Sequence, residues 1–342
     1  MKIAFCHYYS LSFGGGGERF VVESSDWLTK KGHAVSIHSV PFRRGNWRPT
    51  SKTLTYSEAP IHFFDADVVY HIYNPLVGRL FRCDGPRIAG IHSSLLTRGL
   101  AEEGYSSGSF TQNTRNHGLA AAFMKVLAKR VQAKEIATFD AVHWISPAPP
   151  TELSHRRLFQ IPNWVNTKVF RPGTKANQFI VLFVGKHSYG KGFDRFVQVS
   201  EIMSDIKFVC TGERVGRIEG TGQLNGESLA NLYSQSSVVM LPSRADAFSL
   251  TLIESLACGT PVITTPIPAH LSVDIPAFYA GDIPELVREL KHVYSLWKSE
   301  RQEYERIANL GVRSTRRYEM EVVLPRFEAM LREVADDHVK RD

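Results

Sequence analysis

The sequence predicts an α/β protein of two domains, each built on a parallel sheet. Three observations carry this expectation. The chain has 342 residues, more than one hydrophobic core usually serves. Short β-rich runs alternate with helical patterns in both halves, the rhythm of parallel sheets. A stretch with two prolines and no periodicity, IPNWVNTKVFRPGTKANQ (161–178), separates the two series. The expected boundaries are 1–165 for the first domain, 166–178 for the linker, 179–315 for the second domain and 316–342 for a C-terminal helix and tail.

In the first half the strands read KIAFCHY, AVSIHSV, ADVVYHI, RIAGIH and AVHWIS. Between the first two, Glu18 to Lys31 carries Phe20, Ser24, Trp27 and Leu28 on one face, and Gly32 ends the helix. The second half restarts with FIVLFVG as a buried strand, GFDRFVQVSEIM as a helix and IKFVCTG as a strand. GESLANLYSQS is then a helix and SVVML a strand. After it, Ser243 to Ala247 form a turn, Phe248 onward is helical, and PVITT is the next strand. The segment 283–338 is helical, with a frayed tail. There is no internal repeat or low-complexity tract.

Hydrophobic residues make up 43% and charged residues 22%, ordinary for a globular protein. No apolar run approaches the roughly 18 residues that would span a bilayer. The start, MKIAFCHYYS, is too short and polar for a secretory signal. Four cysteines, Cys6, Cys83, Cys210 and Cys258, form no C-x-x-C pair. That argues against a zinc site and for a reducing, cytoplasmic compartment. The net charge of +7 is uneven: residues 1–170 hold 20 Lys+Arg against 12 Asp+Glu, residues 171–342 hold 21 against 22. Nine of the 13 histidines also fall in the first half. The basic half is either a solvated surface or a face that meets something anionic.

Three motifs lie where parallel sheets bind ligands, beyond the carboxyl ends of the strands. In SLSFGGGGERF, Gly14 to Gly17 follow the first strand and open a helix, so backbone amides can approach a phosphate or sugar. The spacing fits neither a dinucleotide fingerprint nor a P-loop; a flexible turn is the alternative, but four consecutive glycines exceed what a turn needs. In FVGKHSYGKGFDRF, Lys186 and Lys191 sit between a strand and a helix, as a diphosphate clamp or as two solvated loop lysines. In RADAFSLTLIESLACGTPV, Asp246 precedes a helix whose first-turn amides, at Ser249, Leu250 and Thr251, suit a phosphate. Glu254 lies further along the same helix. Asp246 can be a helix cap or a ligand group, and Glu254 a surface charge or a ribose acceptor.

Together these motifs resemble the retaining nucleotide-sugar glycosyltransferases of glycosyltransferase family 4, with the GT-B fold. The likeness covers most of the chain in order: GGGGERF with KKGHAVSIHS, GIHSS, HWISP, PNWVNTKVF with Phe-Arg-Pro, FVGKHSYGKG, and LYSQSSVVMLPSRADAFSLTLIESLACGTPVI. The last resembles the family's E-x7-E motif. The resemblance implies two Rossmann-like domains facing each other across a cleft, with the C-terminal helix crossing back to the N-terminal domain. It implies that Glu254 holds the nucleotide ribose, Asp246 contacts sugar hydroxyls and Lys191 the diphosphate, with Lys186 beside it. It implies that His92 reaches the donor sugar and the reaction centre, and that Gly15, Gly16 and Gly17 line the diphosphate and acceptor side. On the residues alone, His92 can equally be locally hydrogen-bonded. Two positions depart from the family: Asp246 is one methylene shorter than the usual Glu, and Lys186 lacks the fork of the usual Arg.

The implied reaction is transfer of a sugar from a UDP- or GDP-sugar to a hydroxyl acceptor by a hexosyltransferase-type enzyme. Lysines and helix-start amides would stabilise the leaving diphosphate, with no metal and no other cofactor expected. Only Asp246 is a candidate for a double-displacement nucleophile, and the resemblance places it elsewhere on the sugar. A same-face substitution is therefore expected. The basic N-terminal domain favours an anionic, lipid-linked or glycan acceptor and peripheral contact with the cytoplasmic membrane face. GLAAAFMKVLAKRVQAKE (118–135) reads first as a core helix and second as a membrane contact. An epimerase-like enzyme would share the cleft. Nucleic-acid binding would use the basic half, but aromatic-interleaved basic runs and a helix-turn-helix pattern are missing. A dehydrogenase would need the dinucleotide fingerprint.

Overall fold

The computed structural model describes residues 1–13, 15–41, 55–74, 77–92, 130–146 and 155–339. They form two compact units: one holds the described residues up to Asn163 together with those from Val323 on, the other holds Trp164–Val322. Each unit is built on an all-parallel sheet.

In the N-terminal unit, β1 (Lys2–His7), β2 (Ala34–Ser39), β5 (Val68–Ile72), β7 (Arg87–Ile91) and β8 (Ala141–Trp144) are the strands the sequence announces. Two short edge strands, β3 (Thr55–Glu58) and β9 (Leu158–Gln160), complete the order β3-β2-β1-β5-β7-β8-β9. A separate pair joins β4 (His62–Phe63) and β6 (Phe81–Arg82). The central strands are apolar and buried on both faces, as parallel strands covered by helices must be. Helix α1 (Gly16–Lys30) buries Phe20, Ser24 and Leu28, while Trp27 keeps partial exposure at the rim of that stripe.

In the C-terminal unit, β10 (Ile180–Phe183), β11 (Lys207–Cys210), β13 (Val238–Leu241) and β14 (Val262–Thr264) carry the core. Edge strands β12 (Glu219–Gly220) and β15 (Phe278–Tyr279) give the order β12-β11-β10-β13-β14-β15. The connections hold α2 (Phe193–Ile202), α3 (Gly226–Gln235), α4 (Leu250–Ala257) and the single turn α5 (Pro268–Leu271). Residues 161–178 do not hang free, because Trp164, Val165 and Phe170 are buried at 4%, 1% and 2% exposure.

The predicted helical segment resolves into α6 (Ile283–Ser299), α7 (Arg301–Ser314) and α8 (Met320–Val339). From Val323 on, α8 belongs to the N-terminal unit, as the crossing-back expectation requires. Phe327 is fully buried there, 5.1 Å from the Tyr70 ring and 5.3 Å from the Phe20 ring. Pro325, which has no N–H to donate, lies inside this helix just past the point where the chain changes unit. Among the described residues no helix is long and apolar enough to cross a membrane. The candidate contact helix at 118–129 lies outside the described residues, and only its end, from Arg130, is seen.

Candidate functional site

The C-terminal unit gathers its candidate residues beyond the carboxyl ends of β10 and β13. The loop after β10 carries Lys186 and Lys191 and turns into α2 at Gly192. Gly192 has φ +70°, and a Cβ there would overlap the Pro242 carbonyl, so only glycine lets the two loops approach this closely. Arg244 fastens them. Its amide donates to the Gly190 carbonyl at 2.8 Å, and its guanidinium lies 3.6 Å from the Tyr189 ring centroid. The same guanidinium makes two 2.7 Å bonds to Asp194. A planar fork held at three points, with the backbone amide as a fourth, gives the loop one geometry.

That geometry sets Lys191 against Asp246, with Nζ 2.6 Å from Oδ2. The lysine side chain is 34% exposed and the aspartate 10%. Asp246 Oδ1 also accepts the Ala247 amide at 3.0 Å, and His270 Nε2 lies 3.6 Å from Oδ2. His270 is fully buried, with Nδ1 held by Thr264 Oγ1 at 2.8 Å. Burial raises the Asp246 carboxyl, but Lys191 and His270 outweigh it, and the group ends well below the usual carboxylate range. Asp246 is thus ionised at neutral pH.

Helix α4 begins two residues later than the sequence pattern predicts. Ser249 is its N-cap in extended conformation, and Phe248 belongs to the turn. The amides of Ser249, Leu250 and Thr251 remain at the helix start, where a helix has no partners of its own to offer. Glu254 is not a surface charge: it is 2% exposed, and Tyr233 donates to its Oε2 at 3.1 Å. Burial pushes the Tyr233 hydroxyl well up, so it stays a donor.

The N-terminal unit brings together a second group. Gly15 is the extended N-cap of α1, Gly16 is exposed, and Gly17 backs onto His7. The Gly15 amide donates to Glu18 Oε2 at 2.6 Å, and His7 Nε2 lies 3.4 Å from Glu18 Oε1. Gly14 lies outside the described residues. His92 follows β7 and hydrogen-bonds through Nε2 to the Tyr70 hydroxyl at 2.8 Å. Burial pushes its imidazole well below the ordinary value, and His143 and His7 act in the same direction. The residue as a whole keeps partial access to solvent.

Sequence reasoning missed Arg244, Asp194, His270, Tyr233, Glu18, Tyr70 and His143. Arg244 sits two positions before Asp246, and Glu18 three after Gly15, so adjacency was a signal for both. His270 and His143 offered none, because each meets its partner only through the sheet.

Residues 178–295 match the family model described as glycosyl transferases group 1. Among curated relatives, alpha-galactosylglucosyldiacylglycerol synthase of Streptococcus pneumoniae is 24% identical over 143 residues, 32% of this chain and 38% of that protein. D-inositol 3-phosphate glycosyltransferase of Paenarthrobacter aurescens is 28% identical over 142 residues, 32% of this chain and 35% of that protein. The matched part thus spans little more than a third of these relatives. Among solved structures, sucrose-phosphate synthase from Thermosynechococcus elongatus superposes with a TM-score of 0.74 at 16% identity, covering 98% of this chain and 99% of that one. Anabaena HepE in complex with UDP-glucose gives 0.72 at 13% identity, covering 97% and 100%. The chain has the GT-B fold of these glycosyltransferases.

Proposed function

We propose that the chain is a retaining glycosyltransferase of family 4 that takes its sugar from a nucleoside-diphosphate donor, UDP- or GDP-linked. One observation carries this reading: Lys191 and the Asp246 carboxylate lie 2.6 Å apart, in the segment that matches the glycosyl transferases group 1 model. The buried Glu254 lies on the helix that follows.

The chemistry follows from charge. Breaking an anomeric bond leaves a diphosphate anion and a cationic sugar. Lys191, Lys186 and the first-turn amides of α4 offer positive charge to the anion, and a preorganised site stabilises it without reorganisation cost. Asp246 accepts hydrogen from sugar hydroxyls. Glu254 accepts from the nucleotide ribose while Tyr233 holds its other edge. Because Lys191 already neutralises Asp246, a bound diphosphate competes for that ammonium and frees the carboxylate for the sugar. Gly15, Gly16 and Gly17 offer backbone to the diphosphate and acceptor side, and His92 offers a hydrogen-bonding nitrogen to the sugar. With Asp246 on the sugar hydroxyls and not beside the anomeric carbon, the acceptor enters on the face the diphosphate leaves. Lysines in place of a metal make the reaction metal-independent. The acceptor is an anionic, lipid-linked or glycan hydroxyl.

Thermal-shift screening tests the donor site. We expect UDP or GDP, at about 100 times its Kd, to raise Tm by about 3 °C or more. Glu254→Gln should abolish most of that rise and Lys191→Ala should reduce it. No shift with any nucleoside diphosphate, or an unaltered shift in both variants, defeats the reading. Transfer in EDTA to a product of the donor's own anomeric configuration is the matching expectation for the chemistry.

A further inference from the structure

A line of hydrogen bonds runs from His92 into the N-terminal sheet across three neighbouring strands. His92 Nε2 meets the Tyr70 hydroxyl at 2.8 Å, that hydroxyl meets His143 Nδ1 at 2.5 Å, and His143 Nε2 meets the Ile161 carbonyl at 2.7 Å. Tyr70 stands on β5, His143 on β8, and β7 lies between them with Gly90 paired to His143. The phenol crosses β7 at Gly90, where a Cβ would overlap its hydroxyl. Glycine at this one position lets a side chain of β5 reach β8. Tyr70 and His143 are both fully buried, and Phe20 and Phe327 wall them in.

The protons on this line are determined by its inner end. A carbonyl oxygen only accepts, so His143 must carry its proton on Nε2. Burial drops the His143 imidazole to about 4, so at neutral pH the ring holds one proton and its Nδ1 is a lone pair. Tyr70, whose hydroxyl burial raises well above its ordinary value, therefore donates its single proton to His143. The Tyr70 oxygen is left as an acceptor, and His92 must bring Nε2–H to it. The tautomer of a histidine is set by the bond its other nitrogen makes.

We propose that Tyr70 and His143 are positioning residues that hold His92 as the Nε2-protonated imidazole, leaving Nδ1 as its lone-pair nitrogen for a substrate hydroxyl. The Phe20 ring, edge-on to His92 at 4.2 Å, restrains the ring plane. His92 thus accepts a hydrogen bond from a sugar or acceptor hydroxyl and does not donate one. This rests on the glycosyltransferase reading for its purpose, though not for the tautomer itself.

The test uses the full chain labelled with 15N-histidine, with His92 assigned through His92→Gln. Long-range 1H–15N spectra at neutral pH should show pyrrole-type Nε2 and pyridine-type Nδ1 for His92. Tyr70→Phe, which removes one oxygen and keeps the ring packing, should average the two nitrogens. A proton on Nδ1 in the parent chain, or an unchanged His92 signal in Tyr70→Phe, overturns the proposal. With an active donor, Tyr70→Phe should lower kcat about 10- to 100-fold, by comparison with the loss of outer partners of metal-bound histidines, with donor KM within about twofold. Parent-level kcat in Tyr70→Phe overturns the relay and leaves the enzyme reading standing. A parent chain that transfers no sugar defeats the enzyme reading, and the spectra still decide the tautomer.

Discussion

Lys175 shows how far a single residue can depart from its ordinary chemistry. Its Nζ donates to the Ser236 carbonyl at 2.8 Å and to Thr260 Oγ1 at 2.5 Å, and burial drops it from 10.5 to about 7. The sign of the consequence is fixed by proton counting. Between pH 7 and about 10 the unfolded chain holds this proton and the folded chain does not, so stability contributed here rises with pH over that window. Lys175→Met should flatten that rise in chemical denaturation measured at pH 7 and 9, and an unchanged slope would refute the assignment. Nothing in GTKANQ marks this half-buried lysine as enclosed, because its partners lie 61 and 85 residues away. Glu254, left open above as a surface charge, did carry a local signal. Leu252, Ile253, Leu256 and Ala257 surround it with apolar residues on every side of α4, the mark of an enclosed helix that carries its carboxylate inside.

At the scale of elements, apolar runs announced the central strands because those strands are covered on both faces. The edges were silent for the converse reason. TYSE in β3 and LFQ in β9 have no fully buried residue, and they are strands because β2 and β8 offer them unpaired backbone. Helix α8 shows what an element gains from long-range packing. Phe327 is fully buried against Phe5, Phe20, Tyr70 and His143, four residues from distant parts of the N-terminal unit. Phe327→Ala should cost about 3–5 kcal/mol, read as a lower urea midpoint, the usual penalty for an aromatic cavity. A loss below about 1 kcal/mol would mean that α8 rests on the unit without holding it.

For the whole molecule, charge is the property that reaches furthest. Residues 1–170 carry a net +8 and the remainder a net −1. Peripheral attachment through the basic N-terminal part predicts co-sedimentation with anionic vesicles at low salt and release as salt rises. Protein left in the supernatant at low salt would remove the membrane proposal and favour a soluble anionic glycan. The loops that bear the motifs sit at strand ends, and strand order places those ends.

Local pattern alone determined the central strands and the helices between them, the glycine turn after β1, the two loop lysines and the paired acids around the start of α4. These follow from hydrophobic period, turn chemistry and helix ends, all of which act between near neighbours in the chain. Tertiary structure decided which polar side chains meet. Lys191 and Asp246 are 55 residues apart, Tyr70 and His143 are 73 apart, and only the sheet brings either pair within a hydrogen bond. A proton's location or a carboxylate's charge depends on contacts of a few ångströms, and sequence spacing carries no record of those distances.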